Sequence, residues 1–371
     1  MDIDKIVIIF SGYNNRAIVS FIRTLEKNKI TYAIVAKNND DPMFWTSYKN
    51  NIILTRKNQS LDLELFEKVF HLARVKFSVT QYIIAPSTEA LNRFLLNERI
   101  ALEAMNAIVP LPEMETYLSV SDKKAFSDMC RNNNIFVPAE YDSISDAKFP
   151  FVAKPRKYFT KDGSVFTPFL IFDYEQKISF LKECDPDSFY FQEYVEGRSI
   201  YLLYYFHRNG NIEKFSQENI IQQPDGGSIV AAISSDFHNN KESINYEKLF
   251  NLIGFVGLVM VELKVSDNRN YMIEANPRFW GPSQLFVDAD FNLFEYFLHD
   301  YGCINGVPMY QHPVDAKYFW FGGALDTFKK SKTLSFHVGC EKDFLMSIDT
   351  WLECDIYKRI DSIGVFKEEI R

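Results

Sequence analysis

The segments VMVELKV (259–265), SDNRN (266–270) and YMIEANPRFWG (271–281) follow one another without a break. Two apolar runs rich in β-branched residues flank a polar turn, a pattern that predicts a β-hairpin. With the turn at Ser266 to Asn270 and symmetric pairing, Val265 faces Tyr271, and Glu262 falls opposite Glu274. Side chains alternate along a strand, so Asn276 shares the face of Glu274. Like charges directly opposite one another destabilise a sheet, and a cation therefore belongs between them. Two carboxylates and an amide oxygen make a hard-oxygen set suited to Mg²⁺, which usually completes its shell with water and phosphate. Arg278 follows Pro277, where the strand must end, and can reach the same phosphates bidentately. A surface hairpin with solvated acids is the alternative reading for one Glu pair alone. The convergence of Glu262, Glu274, Asn276 and Arg278 favours a site.

The 371 residues are enough for two or three domains. A net charge of −8 argues against a long-range basic field, and so against nucleic acid as a partner. The five cysteines are widely spaced and show no C-x-x-C pattern, which suggests neither a disulfide framework nor a zinc site. The N-terminus MDIDKIVIIF lacks a signal-peptide layout, and no apolar run approaches the roughly 20 residues that span a bilayer. A reducing cytoplasm, with no membrane partner, is the expected setting.

Strand and helix patterns alternate over the first hundred or so residues. KIVIIF (5–10) and ITYAIVA (30–36) read as strands, with a short third at Tyr82 to Ala85. Between and after them, helical spacing runs through Ala17, Phe21 and Leu25, from Leu61 to Phe70, and from Leu91 to Ala107. This predicts a small parallel α/β domain over residues 1–115. Neither G-x-G-x-x-G nor G-x-x-x-x-G-K is present, so no dinucleotide fingerprint and no P-loop is read. Beyond the Val109-Pro110-Leu111-Pro112 boundary, Ser121 to Arg131 reads as a helix, with Ser121 or Asp122 as N-cap. Phe149 to Lys154, Phe189 to Val195, Ile200 to His207 and Ile212 to Phe215 read as strands, and Asn245 to Ile253 as a helix. Past residue 300 the pattern weakens, with a strand at Tyr318 to Gly323 and a helix at Cys340 to Leu352.

Lys154 ends an apolar strand before a proline, where its ammonium can meet a phosphate as a point charge. Lys123 lies one residue past Asp122 at a helix start. Gln192-Glu193-Tyr194-Val195 closes a strand whose backbone can meet an adenine edge. Taken in order, Asp122-Lys123, the VAKP strand of Lys154, QEYVEG (192–197), V-E-x-K and IEANPRFWG resemble the ATP-grasp superfamily over roughly residues 116 to 300. The text PDGGS (224–228) and RFWG (278–281) is similar to the branch around carbamoyl-phosphate-synthase large subunits. The resemblance implies an α/β plus α+β architecture, with a pre-ATP-grasp parallel domain ahead of a two-subdomain ATP-grasp fold. Its subdomains would span about 116–190 and 191–300, and residues 301–371 would complete or cover them.

The resemblance also implies roles. Glu262, Glu274 and Asn276 would hold Mg²⁺, with Mn²⁺ as the other candidate ion. Lys123 and Lys154 would hold ATP phosphates. Gln192, Glu193, Tyr194 and Val195 would frame adenine, with Glu196 toward the ribose. Arg278 and Lys154 would be catalytic. The implied activity is an ATP-dependent carboxylate–amine (or thiol) ligase, acting through an acyl phosphate on small-molecule acids and amines, with a homodimer as a candidate assembly. A kinase of the same fold and a non-catalytic ATP-binding regulatory module are the alternatives. One departure concerns RKYFTKDGSVFTP (156–168), which has a single glycine where the family has a glycine-rich lid. Asp162-Gly163-Ser164 is its candidate anion nest. Tyr13, Asn14, Asn15 and Trp280 are candidate neighbours of the acid substrate.

Overall fold

The computed structural model describes residues 5–58, 60–156, 168–266, 269–310 and 313–371. The lid segment and its nest at Asp162-Gly163-Ser164 lie outside the described residues. The strands of the described residues form three sheets.

The first is parallel, in the order Ile52–Thr55, Tyr32–Ala36, Lys5–Phe10, Gln81–Ile84, Ala107–Ile108. Its central strand reads as unbroken apolar sequence because both of its faces are covered. Val7 and Ile9 join one core with Ala17, Phe21 and Leu25 of helix Asn15–Lys27. Ile6, Ile8 and Phe10 join another with Phe66 and Val69 of helix Leu63–Phe77. The helix expected from Leu91 to Ala107 is two, Glu89–Asn97 and Arg99–Ala104, with Thr88 capping the first and Ala107 already in a strand.

Helices Met114–Ser121 and Lys123–Asn132 follow. Asp122 caps the second by accepting from Ala125 N at 2.8 Å, which sets Lys123 in the first turn. A four-stranded sheet comes next, in the order Glu140–Tyr141, Phe189–Glu193, Phe151–Pro155, Phe169–Ile171. It rests on its own cluster, which includes Phe151, Phe180, Phe189 and Phe191.

The third sheet is seven-stranded. Arg269–Asn276, Gly257–Ser266, Arg198–Phe206, Ile212–Gln222, Ile229–Ser235 and Lys317–Phe319 lie side by side, and Ser335–Phe336 also pairs with Ile212–Gln222. The chain after residue 300 thus contributes strands to this sheet. The strand expected at Tyr318 to Gly323 is Lys317–Phe319, and helix Phe321–Lys329 takes over from it. The helix expected at Cys340 to Leu352 divides at Ser347 into Glu341–Met346 and Ile348–Glu353.

The large sheet is covered on both faces. Tyr201, Leu203 and Tyr205 face the core shared with helix Asn15–Lys27, while Ile200, Leu202 and Tyr204 face helix Lys241–Leu252 through Tyr246, Leu249 and Phe250. Asn14, in left-handed backbone (φ 54), donates from Nδ2 to Ser87 O and Phe279 O, both at 2.9 Å. That side chain ties the parallel sheet to the loop beyond Arg278.

Candidate active site

Glu262 and Glu274 are paired across the hairpin, and the route to that pairing differs from the symmetric one. Ser266 pairs with Arg269 and Val265 with Asn270, so the turn is tighter than Ser266 to Asn270 and Tyr271 faces Lys264. A bulge between Met272 and Glu274 then absorbs one residue, Ile273, and restores Glu262 to its place opposite Glu274. The composition explains the shift. Met272, opposite Leu263, enters the core and is 1 % exposed, while Glu274 keeps the cleft face. A straight ladder would have put Met272 on the face of the acids. The bulged Ile273 carbonyl accepts from Lys154 Nζ at 2.8 Å.

The cations and acids converge. Lys123 Nζ lies 2.5 Å from Glu274 Oε2, and Asn276 Nδ2 donates to Glu274 Oε1 at 2.8 Å. Arg278 donates from Nη2 to Asn276 Oδ1 at 3.3 Å and from Nη1 to Phe279 O at 3.1 Å. Glu262 Oε1 accepts from Ser199 Oγ at 3.3 Å, Ser199 Oγ accepts from Asn219 Nδ2 at 3.0 Å, and Asn219 Oδ1 accepts from Gln217 Nε2 at 2.7 Å. This buried chain ends at Gln217 Oε1, which has no partner among the described residues.

Their partners, and not burial, separate the two acids. Burial raises the Glu274 carboxyl, but Lys123, Asn276 and Lys154 outweigh it and hold it down at about 2. Burial, and then the charge of Glu274, raise Glu262 above the usual carboxylate range. Burial, and then Lys123, lower the Lys154 ammonium to about 8. A buried cation and a buried acid each out of their ordinary range lie in one cleft, which makes it a candidate functional site.

A cavity of about 310 Å³ is lined by Lys123, Lys154, Gln192, Glu193, Tyr194, Val195, Glu262 and Glu274. An adjoining hollow of about 140 Å³ shares Lys123 and Glu274 and adds Asn276, Arg278, Glu89 and Arg93. Glu196 is exposed and lines neither. The Gln192 side chain turns back into the protein, donating to Ser127 Oγ at 3.3 Å and Glu140 Oε1 at 3.4 Å. The Tyr194 ring packs edge-on against Phe172.

The proposed neighbours of the acid have structural work. Asn14 ties Ser87 to Phe279, Asn15 Oδ1 accepts from Gly12 N at 2.9 Å, Tyr13 lies under Lys37 Nζ, and Trp280 is 2 % exposed within the core. Sequence reasoning gave no role to Lys264, the lysine of V-E-x-K, or to His337, which also line the larger cavity. Lys264 was within reach of the alternation that found Glu262, since it lies two residues on. His337 comes from the C-terminal segment, where no local pattern announces it.

Among the described residues no group of three or more His, Cys, Asp or Glu is placed to hold a metal ion. An ion at the acid pair can take an amide oxygen as third protein donor if Asn276, already on the carboxylate of Glu274, turns its oxygen inward. Two carboxylates and an amide fit a hard divalent cation that keeps water or phosphate in its remaining positions.

No protein-family model matches the chain, and a sequence comparison with curated proteins finds no match. Solved structures do match in fold. N5-carboxyaminoimidazole synthetase from Staphylococcus aureus, complexed with ADP, superposes with a TM-score of 0.63 at 15% identity, over 88% of this chain and 85% of that one. A biotin carboxylase–β,γ-ATP complex from Campylobacter jejuni gives 0.59 at 14% identity, over 83% and 72%. L-amino acid ligase from Bacillus licheniformis gives 0.56 at 14% identity, over 80% and 73%. The chain has the ATP-grasp fold, with a parallel α/β domain ahead of it. Among the described residues no helix is long and apolar enough to cross a membrane.

Proposed function

We propose that this protein is an ATP-dependent carboxylate–amine ligase that forms an acyl phosphate and releases ADP and phosphate. The observation that carries the reading is the meeting of opposed acids, Glu262 and Glu274, with Lys123 and Lys154 in one cavity beside the strand end Gln192 to Val195. The fold is shared with a carboxylase, a synthetase and an amino acid ligase that have been solved with or named for ATP, ADP or ligation, and this supports the same class.

A substrate carboxylate oxygen attacks the γ-phosphorus, and the bond from that phosphorus to the β-phosphate oxygen breaks, releasing ADP. An amine nitrogen then attacks the acyl carbon. The carbon–oxygen bond to phosphate breaks, phosphate leaves, and the amine proton passes to solvent. Carboxylate and triphosphate repel, so the residues must gather positive charge in a dry cleft. Lys154, already desolvated, gains most from a phosphate oxygen. Lys123, now on Glu274, can turn its ammonium to the phosphates. Glu262, Glu274 and Asn276 would hold Mg²⁺, whose charge would offset the negative charge that develops in the reaction. Arg278, which lines the smaller hollow, would meet the carboxylate and the transferring phosphoryl group. This charge work requires no protein nucleophile.

ADP release across a panel of amino acids and amines tests the reading. Glu274→Ala should abolish substrate-dependent ADP release while the fold persists by circular dichroism. Full turnover in that variant overturns the metal assignment. A phosphorylated product that never becomes an amide converts the reading to a kinase, and ATP binding without any ADP release converts it to a regulatory module.

A further inference from the structure

One wall of the larger cavity comes from the C-terminal segment. Ser335–Phe336 pairs with Ile212–Gln222, Gln222 opposite Ser335, and His337 N donates to Ile220 O at 2.9 Å. These bonds set the imidazole of His337 beside Gln222. The Gln222 amide nitrogen donates to Gly227 O at 2.8 Å, so its oxygen is the atom that faces His337 Nε2 at 2.9 Å. An acceptor there requires the ring hydrogen to sit on Nε2. In the neutral ring Nδ1 is then bare, and Lys264 Nζ donates to it at 3.2 Å. The chain of donors runs one way, from Lys264 through His337 and Gln222 to the carbonyl of Gly227. A neutral acceptor orients the ammonium without cancelling its charge.

The position of Lys264 along the strand says what that charge meets. Lys264 follows Glu262 by two residues on one face, or about 7 Å further along the strand. Beyond it, Val265 carries the carbonyl against which Gly197 packs, so close that a Cβ on Gly197 would fall 2.4 Å from it. Gly197 belongs to the connection that follows Gln192 to Val195. Lys264 therefore stands between the acid pair and the connection after the adenine-side strand. In a nucleotide whose phosphate tail meets the acids and whose base meets Gln192 to Val195, that place belongs to the ribose and α-phosphate.

We propose that Lys264 is a nucleotide-binding residue for the ribose–α-phosphate segment, and that His337 is its positioning residue, supplied by the C-terminal extension. The proposal rests on the ATP-binding reading above. It gives the segment after residue 330 a part in the site.

Displacement of a fluorescent ATP analogue by ATP, ADP and AMP tests it, with Mg²⁺ present. Lys264→Met should weaken ATP and AMP by the same factor, roughly tenfold, because the contact lies at the part they share. Lys154→Met should weaken ATP far more than AMP. Lys264→Arg should keep most of the affinity, which separates lost charge from lost fold. His337→Ala should weaken binding roughly fivefold, His337→Asn, which keeps an acceptor near the Nδ1 position, should restore it, and the Lys264→Met/His337→Ala pair should bind no worse than Lys264→Met alone. A loss confined to ATP and ADP, additive effects in the double variant, or wild-type affinity in Lys264→Met each overturns the assignment. Failure of the wild-type chain to bind any of the three nucleotides overturns the ATP reading itself, and this assignment with it.

Discussion

The two walls of the larger cavity are built on different foundations. The acids stand on the seven-stranded sheet, which is packed on both faces: Glu262 on Gly257–Ser266, flanked by Arg198–Phe206 and Arg269–Asn276, and Glu274 on the edge strand Arg269–Asn276. Lys154 stands on the four-stranded sheet, whose small core includes Ala147, Ala153, Ile171 and a few phenylalanines. The difference matches what the proposed function asks each wall to hold. A divalent ion accepts donors only within a narrow range of distances, and a stiff wall supplies them. A polyphosphate tolerates a cation that arrives from a smaller body able to shift as a unit.

After the loss at Glu274, the largest effect should come from Lys154. Lys154→Met removes a desolvated charge from the phosphate side, and kcat/KM for ATP should fall by roughly 10²–10³, or about 3–4 kcal/mol of transition-state stabilisation. The same change should leave the thermal midpoint equal or higher, because a buried ammonium near Lys123 is a burden in the free protein. Steady-state ADP release and a melting curve read both. Unchanged activity would mean that the small wall contributes no phosphate contact.

A packing variant tests the wall itself. Phe180 is 3 % exposed and packs edge-on against Phe169 and Phe189 in the small core. Phe180→Ala should cost about 3–5 kcal/mol of local stability. Hydrogen exchange should speed up in Phe151–Pro155 and Phe189–Glu193, with Gly257–Ser266 still protected. Equal acceleration in both sheets would show that they open as one unit, and the contrast between the walls would go.

The hairpin shows how far the sequence could be read, and where it stopped. Alternation and turn composition opposed Glu262 to Glu274, and the pairing holds because the one-residue bulge offsets a tighter turn than the composition suggested. They could not show the bulge, since a straight ladder and a bulged one can pair the same two acids. Met272 held the clue, an apolar residue that the straight register leaves on the cleft face. Lys123 and Lys154 were legible from a helix cap and a strand end, which are local signals. Gln192 was legible only as part of a strand, and its side chain bonds inward. The strands Ile52–Thr55 and Ala107–Ile108 are too short to announce themselves, and Ser335–Phe336 exists because Ile212–Gln222 offers it a partner. Edge pieces of this kind are made by tertiary context, and no local pattern encodes them.

Deleting Ile273 sharpens the comparison at the seam between the walls. Without it the ladder from Lys264 to Glu262 runs straight, Met272 stays opposite Leu263, and the acids stay opposed. The bulged carbonyl that receives Lys154 is what disappears. Activity should fall roughly tenfold, the scale of one lost positioning hydrogen bond, while metal dependence persists. A loss as deep as that of Glu274→Ala would show that the bulge also aims the acids.

The smallest effect concerns how the large wall is anchored away from the cleft, and it appears as a pH dependence. His207, just past strand Arg198–Phe206, has Nδ1 2.8 Å from Asp300 Oδ1 at the end of helix Leu293–Asp300, and its side chain is 4 % exposed. Burial lowers the imidazole's pKa, but the bonds to Asp300 and Glu213 outweigh it and raise it to about 9. In the unfolded chain the group returns to about 6.5. A raised folded value means the folded state binds the proton more tightly. The stabilisation is thus complete below about pH 6.5 and is lost as pH rises through about 9. Because Glu213 is partly exposed, screening should leave on the order of 1–2 kcal/mol. Melting curves at pH 6 and pH 9.5 should therefore converge between wild type and His207→Gln at the higher pH, where the wild type has lost its advantage of a few degrees. Hydrogen exchange over the same range should show Arg198–Phe206 loosening before Phe151–Pro155 does. If the small sheet loosens first, the large wall owes nothing to this pair, and its stiffness rests on its two apolar faces alone.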